Sequence, residues 1–413
     1  MKPAVIMALG ATILGAFPVA SSEAAKADTF CADLKTAVAP QTRRAEEIFI
    51  RSYQPGEEEA TLPSGLDTTA FVYDNALAAI ALVARGDLPD AKPIGEALSR
   101  AVRRDRSFND GRIRYAYRAG AVGEGAPNLP GWWDDHAKIW AEDPAQDGTS
   151  TGNVAWAALA MLTLHKATQN ARYLDDAKRL IDWVLAHAAC GPDGFCGGFH
   201  GYDPHQVGLT WMSTEHNVDV AAAAKWLFRL TGEPKYAGAA EQARRLLDRA
   251  FRGDHFLLGT KPDGSLADES LLALDVQLWP WMAIPDSPAS WRRGLAFAQT
   301  HLAVDGGFDF NGDRDGIWVE GTAQAALAYR ISGDAARSDR LLMDLQADRT
   351  PSGLLNATRA ARLTTGLSID PTGTTPDFFY YRRPHLGATA WAVLAEIGWN
   401  PFTGEKVQDV SDR

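Results

Sequence analysis

From about residue 45 onward the chain alternates two kinds of helical segment, and few stretches carry the period-2 pattern of a strand. One kind is rich in Ala and Leu and apolar nearly all round: "YDNALAAIALVA", "TGNVAWAALAMLTLHKA", "STEHNVDVAAAAKWLFRL", "ESLLALDVQLWPW", "WVEGTAQAALAYRI" and "HLGATAWAVLAEIGW". The other is amphipathic with a charged face: "PIGEALSRAVRR", "ARYLDDAKRLIDWVLAH", "PKYAGAAEQARRLLDRAF", "SWRRGLAFAQTHLA" and "DAARSDRLLMDLQ". A helix apolar on every side must be enclosed by protein, whereas a two-faced helix covers it from outside. The joints recur too, in "TQNARYLDDA", "TGEPKYAGAA" and "SGDAARSDRL", and such self-similarity marks a repeat architecture. Six inner segments with about six outer partners, the missing one supplied by residues 32 to 56, predict a closed all-α ring of helical hairpins. Inner helices are expected to start near residues 73, 152, 214, 268, 319 and 385.

The first 27 residues read as an export signal: Lys2, the apolar run "AVIMALGATILGAFPVA", then small residues with cleavage after Ala24 or Ala27. That run is shorter than the roughly 20 apolar residues of a membrane span. The expectation is a periplasmic or secreted protein with no stable membrane anchor after cleavage. With 46% hydrophobic and 23% charged residues the rest is globular in composition, and long enough to bury a large core. The net charge is −11, and basic residues occur in short scattered groups such as Arg103, Arg104 and Arg106, so no nucleic-acid footprint is present. Cys190 and Cys196 bracket the turn-forming loop "CGPDGFC" and are candidates for a local disulfide, which leaves Cys31 over. Neither the cysteine spacing nor nearby His completes a four-ligand zinc set.

The stretches "STGNVAWAALAMLTLHKATQNARYLDDAKRLIDWVL", "STEHNVDVAAAAKWLFRLTGEPKYAGAAEQA" and "WVEGTAQAALAYRISGD" resemble the helical hairpins of the six-hairpin glycosidase-like superfamily, the (α/α)6 toroids. The resemblance runs over about residues 45 to 400 and implies a single toroid domain across 28–413. It implies parallel inner helices whose first turns gather at one mouth. It specifies the fold more than the reaction, because the superfamily includes inverting glycoside hydrolases, unsaturated-uronyl hydrolases, phosphorylases, polysaccharide lyases and sugar epimerases.

In such a ring, residues distant in sequence converge. The first inner helix contributes Tyr73, Asp74 and Asn75, the second Asn153 and Trp156, and the third Glu215, His216, Asn217 and Asp219. Glu269 and Asp275 come from the fourth, Glu320 from the fifth and His385 from the sixth. Polar groups at helix starts also serve as caps: Ser213 or Thr214 fits an N-cap, and Glu215 a first-turn acid favoured by the helix dipole. Polar first turns on all six helices, each followed by an apolar interior, point to a shared cleft. The loops feeding it are aromatic, with Trp132, Trp133, Trp140, Phe199, Tyr202, Trp211, Trp318, Phe378, Phe379, Tyr380 and Tyr381. Flat rings stack on the apolar face of a sugar while neighbouring polar groups bond its hydroxyls. Trp156 and Trp279, inside helices, are expected in the core, and Trp132 and Trp133 are expected to be exposed. The candidate glycan-binding set is Tyr73, Asn75, Trp132, Trp133, Asn153, Tyr202, Trp211, His216, Asn217, Trp318, Tyr380 and His385.

Hydrolysis by inversion uses two facing carboxyl groups, one protonated to donate to the leaving oxygen and one ionised to activate water. Glu215, beside His216 and the aromatic loop, fits the acid, and Asp74, flanked by Tyr73 and Asn75, fits the base. Glu320 in "WVEGT" is the third candidate. A polysaccharide lyase is the competing enzyme, with His216, Asn217, Tyr380, Tyr381, Arg382 and His385 as its groups. A non-catalytic carbohydrate-binding protein would keep the aromatic cleft without needing paired carboxylates. No cofactor is expected for the chemistry. A structural calcium ion is suggested only by "DFNGDRDGIWVE", where Asp309, Asn311, Asp313, Asp315 and Glu320 follow EF-hand spacing but Arg314 replaces the usual Gly. A turn that caps the next helix is the simpler account of that stretch.

Overall fold

The computed structural model describes residues 29–56, 61–370, 373 and 375–407; the expected export signal lies outside them. In chain order the helices are α1 (Thr29–Thr42), α2 (Val72–Arg85), α3 (Leu88–Arg103), the single turn α4 (Pro144–Asp147), α5 (Thr151–Thr168), α6 (Ala171–His187) and α7 (Thr214–Thr231). There follow α8 (Pro234–Ala250), α9 (Asp275–Ala283), α10 (Arg293–His301), α11 (Val319–Ser332), α12 (Ala335–Asp344) and α13 (Leu386–Ile397). Helices α2, α5, α7, α9, α11 and α13 touch one another in sequence, and α13 returns to α2, so the inner ring is closed. Outside it, α3, α6, α8, α10 and α12 each cover the inner helix before them, while α1 covers α13. The architecture is an all-α (α/α)6 toroid.

Burial follows the two sequence patterns. In α5 every residue from Thr151 to Leu164 is buried, whereas α8 buries Tyr236, Ala239, Ala243, Leu246, Leu247 and Ala250, one face at helical spacing. Glu396 of α13 accepts the first backbone N–H groups of α1, those of Thr29 at 2.9 Å and Cys31 at 3.0 Å, and so fastens the N-terminal helix onto the last inner one.

The two ends of the ring differ. Inner helices hand over to outer ones through minimal joints: Gly232 and Gly333 take left-handed φ of +69° and +91° at the C-caps of α7 and α11, and the next helix begins two residues later. Gln169 does the same after α5 at φ +56°. The return connections are long and carry nearly all of the small strand pairs, so the irregular chain gathers where the inner helices begin. That end is the mouth.

A repeated clip attaches those return loops. Asn75 of α2 accepts the Ile50 N–H (2.8 Å) and donates to Ile50 O (2.9 Å). Asn217 of α7 does the same with Phe195 (2.8 and 3.0 Å), and Gln277 of α9 with Phe256 (2.8 and 2.9 Å). Hydroxyls replace the amide in the last two helices, where Thr322 accepts the Phe308 N–H (3.0 Å) and Thr389 the Leu355 N–H (2.9 Å). All five clip side chains are fully buried, and each loop residue so held buries its own apolar side chain.

Two sequence expectations are adjusted and a third is met. The fourth inner helix starts at Asp275 rather than near 268: residues 269–274 stay outside the helix, and Glu269 reaches Arg252 (3.3 Å) instead of the mouth. The first outer helix ends at Thr42, and Ile48–Phe49 forms a strand pair with Gly120–Ala121. Cys190 and Cys196 are bridged, and Cys31 is buried and free.

Asn217→Ala would leave the buried N–H and C=O of Phe195 without their partners. It should lower unfolding stability by about 2–4 kcal/mol in denaturant titration; a loss below about 0.5 kcal/mol would show the clip to be incidental.

Candidate active site

Four inner helices carry a carboxylate in their first turn, Asp74, Glu215, Asp275 and Glu320, and Asp219 lies one turn below Glu215. His385 is the N-cap of α13. Its Nδ1 accepts the Ala388 N–H (3.2 Å), which leaves the proton on Nε2, 3.4 Å from Asp74 Oδ2. Protonating Nδ1 as well would exchange that cap for Glu320 Oε2, 3.9 Å away. Gly387 makes the cluster possible: a Cβ there would lie 2.4 Å from Asp74 Oδ1 and 3.1 Å from Glu320 Oε2.

Glu320 is the most firmly positioned of the acids. Tyr73 donates its hydroxyl to Oε1 (2.6 Å), Trp391 donates its indole N–H to the Tyr73 oxygen (2.8 Å), and Gln324 reaches Oε1 at 3.3 Å. Trp279 in turn holds the Gln324 oxygen (3.1 Å). Beneath them Tyr73, Trp156, Trp279, Trp391 and Phe402 pack ring to ring, with Tyr73–Trp156 centroids 5.2 Å apart and Trp156–Trp279 5.5 Å apart, and close the centre of the toroid. Trp156 and Trp279 are core residues, as their sequence positions imply.

Burial governs the protonation of the cluster. It pushes Glu320 up to about 7, with His385 opposing and Asp74 and Asp275 reinforcing. Burial takes Asp275 to about 6, and burial with the charges of Asp275 and Glu320 holds Glu215 well above the usual carboxylate range. Asp219 is raised by burial and by Glu215, and neither of its oxygens has a hydrogen-bond partner. Burial opposes charging of His385, but Asp74 and Glu320 prevail and its pKa is raised. His216, near Ser150 Oγ (3.3 Å), is pushed down to about 4 by burial and is neutral. Among the described residues no Lys or Arg forms an ion pair with any of the five carboxyl groups.

The other sequence candidates divide into three groups. Asn75 and Asn217 have their amides committed to backbone and are scaffold groups, a correction to their expected place among ligand contacts. Trp211 packs on His216 (5.7 Å), Trp318 is buried between Phe310 and Tyr380, Tyr380 faces His385 edge-on (6.3 Å), and Asn153 donates to Tyr115 O (3.1 Å); these line the wall. Trp132 and Trp133 lie on the hairpin Trp132–Asp134/Ile139–Ala141, and Tyr202 on a neighbouring loop. Trp133 and Tyr202 are 54% and 52% exposed, whereas Trp132, expected to be exposed, is half-buried; Trp133 donates to Asp135 Oδ1 (3.2 Å) and Tyr202 to Glu142 O (3.2 Å).

Two wall residues escaped the sequence. Tyr53 stacks obliquely on His385 (4.6 Å), and Tyr115 lies in electrostatic reach of both Glu215 and Asp74. Both stand in loops without periodicity, so no pattern marks them.

Against known proteins, no family model and no curated sequence matches the chain. Solved structures do. A glycosidase aligns with TM-score 0.58 at 15% identity over 89% of this chain and 96% of its own. A family 76 alpha-mannanase of Bacteroides thetaiotaomicron gives 0.54 at 13% identity over 89% and 95%. An alpha-amylase from Clostridium perfringens gives 0.58 at 10% over 88% and 96%. The likeness is one of fold, spanning nearly the whole length of each partner.

A raised carboxyl pKa means that the folded state holds its proton where the unfolded state has released it. Stability from Glu320 is therefore greatest near pH 4–5 and falls as pH rises towards 7. Glu320→Gln removes that titration. Its stability relative to wild type should improve by on the order of 2 kcal/mol between pH 5 and pH 8 in paired denaturant titrations; a constant difference would show that Glu320 is ionised throughout.

Proposed function

We propose that the protein is an exported glycoside hydrolase in which Glu215 donates the proton and Asp74 serves as base. The observation that carries this is the sharing of one aromatic-walled mouth by carboxyl groups in different protonation environments. Glu215 is half-buried, so a ligand can reach it, and burial with the charges of Asp275 and Glu320 holds its pKa well above the usual carboxylate range, the direction an acid requires. Asp74 is buried beside the Nε2–H of His385, 3.4 Å from its Oδ2, which orients the carboxylate. Glu215 would protonate the glycosidic oxygen as the C–O bond breaks, while Asp74 takes a proton from the water attacking the anomeric carbon. Glu320, fixed by Tyr73 and Gln324 and 3.9 Å from His385 Nδ1, is the alternative base.

The fold supports a glycan as substrate, since the solved structures that share it include a mannanase and an amylase. A lyase acting on a uronate is less well served. Its Asn is used up as the Asn217 clip, and a substrate carboxylate would meet a crowd of acids with which no Lys or Arg among the described residues forms an ion pair. Export is supported by the N-terminal apolar run and by the Cys190–Cys196 bridge, which persists in oxidising compartments. No described helix is long and apolar enough to cross a membrane.

Purified protein incubated with neutral and uronate-containing glycans should release reducing ends without an unsaturated, ultraviolet-absorbing product. Glu215→Gln and Asp74→Asn should each retain folding and glycan binding but lower turnover by about 10² or more. Substrates with a good leaving group should partly rescue Glu215→Gln and not Asp74→Asn. An unsaturated product would establish a lyase, and wild-type binding without turnover a lectin-like role. Hydrolysis that survives both substitutions would falsify the pair and move the acid or base role to Glu320.

A further inference from the structure

The loop that leads into α11 holds a second cluster of acids, away from the central one. Asp309, Asp313 and Asp315 each bring a carboxylate oxygen within 4.8 Å of the other two. That span is about twice a Ca–O bond of roughly 2.4 Å, so three such oxygens fit around one ion. Crowding of acids alone would not make a site, and Asp313 and Asp315 are exposed, where they cost little. Asp309 is different. It is fully buried, its Oδ1 accepts the Phe310 N–H (2.6 Å), and its Oδ2 has no hydrogen-bond partner. A buried carboxylate oxygen left unpaired costs about 1–3 kcal/mol or more, and the nearest other charges, Asp313 and Asp315, have the same sign. A cation among the three removes both penalties.

We propose that Asp309, Asp313 and Asp315 bind a calcium ion that locks this loop, whose turn Asn311 Oδ1 braces by accepting the Asp313 N–H (2.8 Å). The donors are all oxygen and include two flexible, solvent-facing carboxylates, which suits Ca²⁺ better than Zn²⁺ or a strictly octahedral Mg²⁺. Arg314, the residue out of keeping with EF-hand spacing, adopts the left-handed φ of +57° that a Gly would supply there. Its guanidinium is anchored on the carbonyls of Thr300 and His301, which directs its charge away from the three acids. Glu320, twelfth in that spacing, takes no part, because its carboxylate belongs to Tyr73 and Gln324 in the mouth.

The ion would act on the mouth through the chain around it. Asp315 Oδ2 accepts the Thr364 N–H (3.1 Å), and Asn311 donates to Thr364 O (3.3 Å). Thr364 belongs to the ribbon Arg362–Thr364/Phe379–Tyr381, whose Tyr380 faces His385. Phe308, just before the acids, is held by the Thr322 clip of α11. Calcium therefore fixes one wall of the mouth and the approach to the helix that carries Glu320.

The test uses the full protein stripped with EDTA and dialysed. Calorimetric titration with CaCl2 should give one site per chain, and saturating CaCl2 should raise the melting temperature by several degrees, with equal MgCl2 giving a smaller shift. Asp313→Asn/Asp315→Asn, changed only at exposed positions, should fold by circular dichroism and lose the calcium response at least tenfold in affinity. Should that variant not fold, terbium luminescence sensitised through nearby Trp318 and quenched by CaCl2, compared between wild type and Asp313→Asn, provides the same discrimination without reference to stability. Absence of both heat and thermal shift in the stripped wild type, a calcium response unchanged in the variants, or an equal response to magnesium would overturn the proposal.

Discussion

The structure depends on a side chain in the first turn of an inner helix reaching out to hold the backbone of the loop that precedes it. Asn75, Asn217, Gln277, Thr322 and Thr389 make this contact in five of the six inner helices, each with a buried apolar loop residue. Long loops that cross the mouth of a ring must leave backbone groups without sheet partners, and burying those groups is costly unless something bonds them. The clip satisfies the donor and, where an amide is used, the acceptor as well. It also sets the height at which each loop meets its helix, and therefore where the neighbouring first-turn residues stand.

Against that fixed frame the carboxylates can be crowded. Asp74, Glu215, Asp275 and Glu320 all occupy first turns, so each sits at the positive end of its own helix, and the parallel inner helices direct those ends to one place. Helix dipoles and retained protons thus do what Lys and Arg do elsewhere. This arrangement suits acid–base chemistry on a neutral polyol. A permanent cation beside the acids would ionise all of them and leave no donor.

The sequence disclosed the ring because its signal is periodic: helices apolar all round can lie only inside, and charged-faced ones only outside, so the order of layers follows from composition window by window. The mouth was legible for the same reason, since polar first turns precede apolar interiors at Asp74, Glu215, Glu320 and His385. What could not be separated was purpose within a turn. Asn75 and Asp74 are adjacent and equally polar, yet one is a clip and the other faces His385, a distinction set by a rotation of about 100° around the helix and by the loop met there. Asn217 and Glu215 divide in the same way. The fourth helix misled through its leucines, because "ESLLAL" reads as a helix start until Gln277, clipped to Phe256, fixes the true first turn at Asp275.

Depth sorts the acids further. Glu320 and Asp74 lie at the level of Tyr73 and His385, buried to about the same degree, and flank the same imidazole. Glu215 stands in the same turn of its helix but is only half-buried. A toroid lined by equivalent first turns would be symmetric and would place six similar groups around a ligand. Here unequal loops break the equivalence, covering some acids and leaving one accessible, so that chemically similar carboxyl groups acquire different proton affinities. Specialisation of the mouth is therefore a property of the loops, while the ring supplies only the convergence that makes specialisation possible.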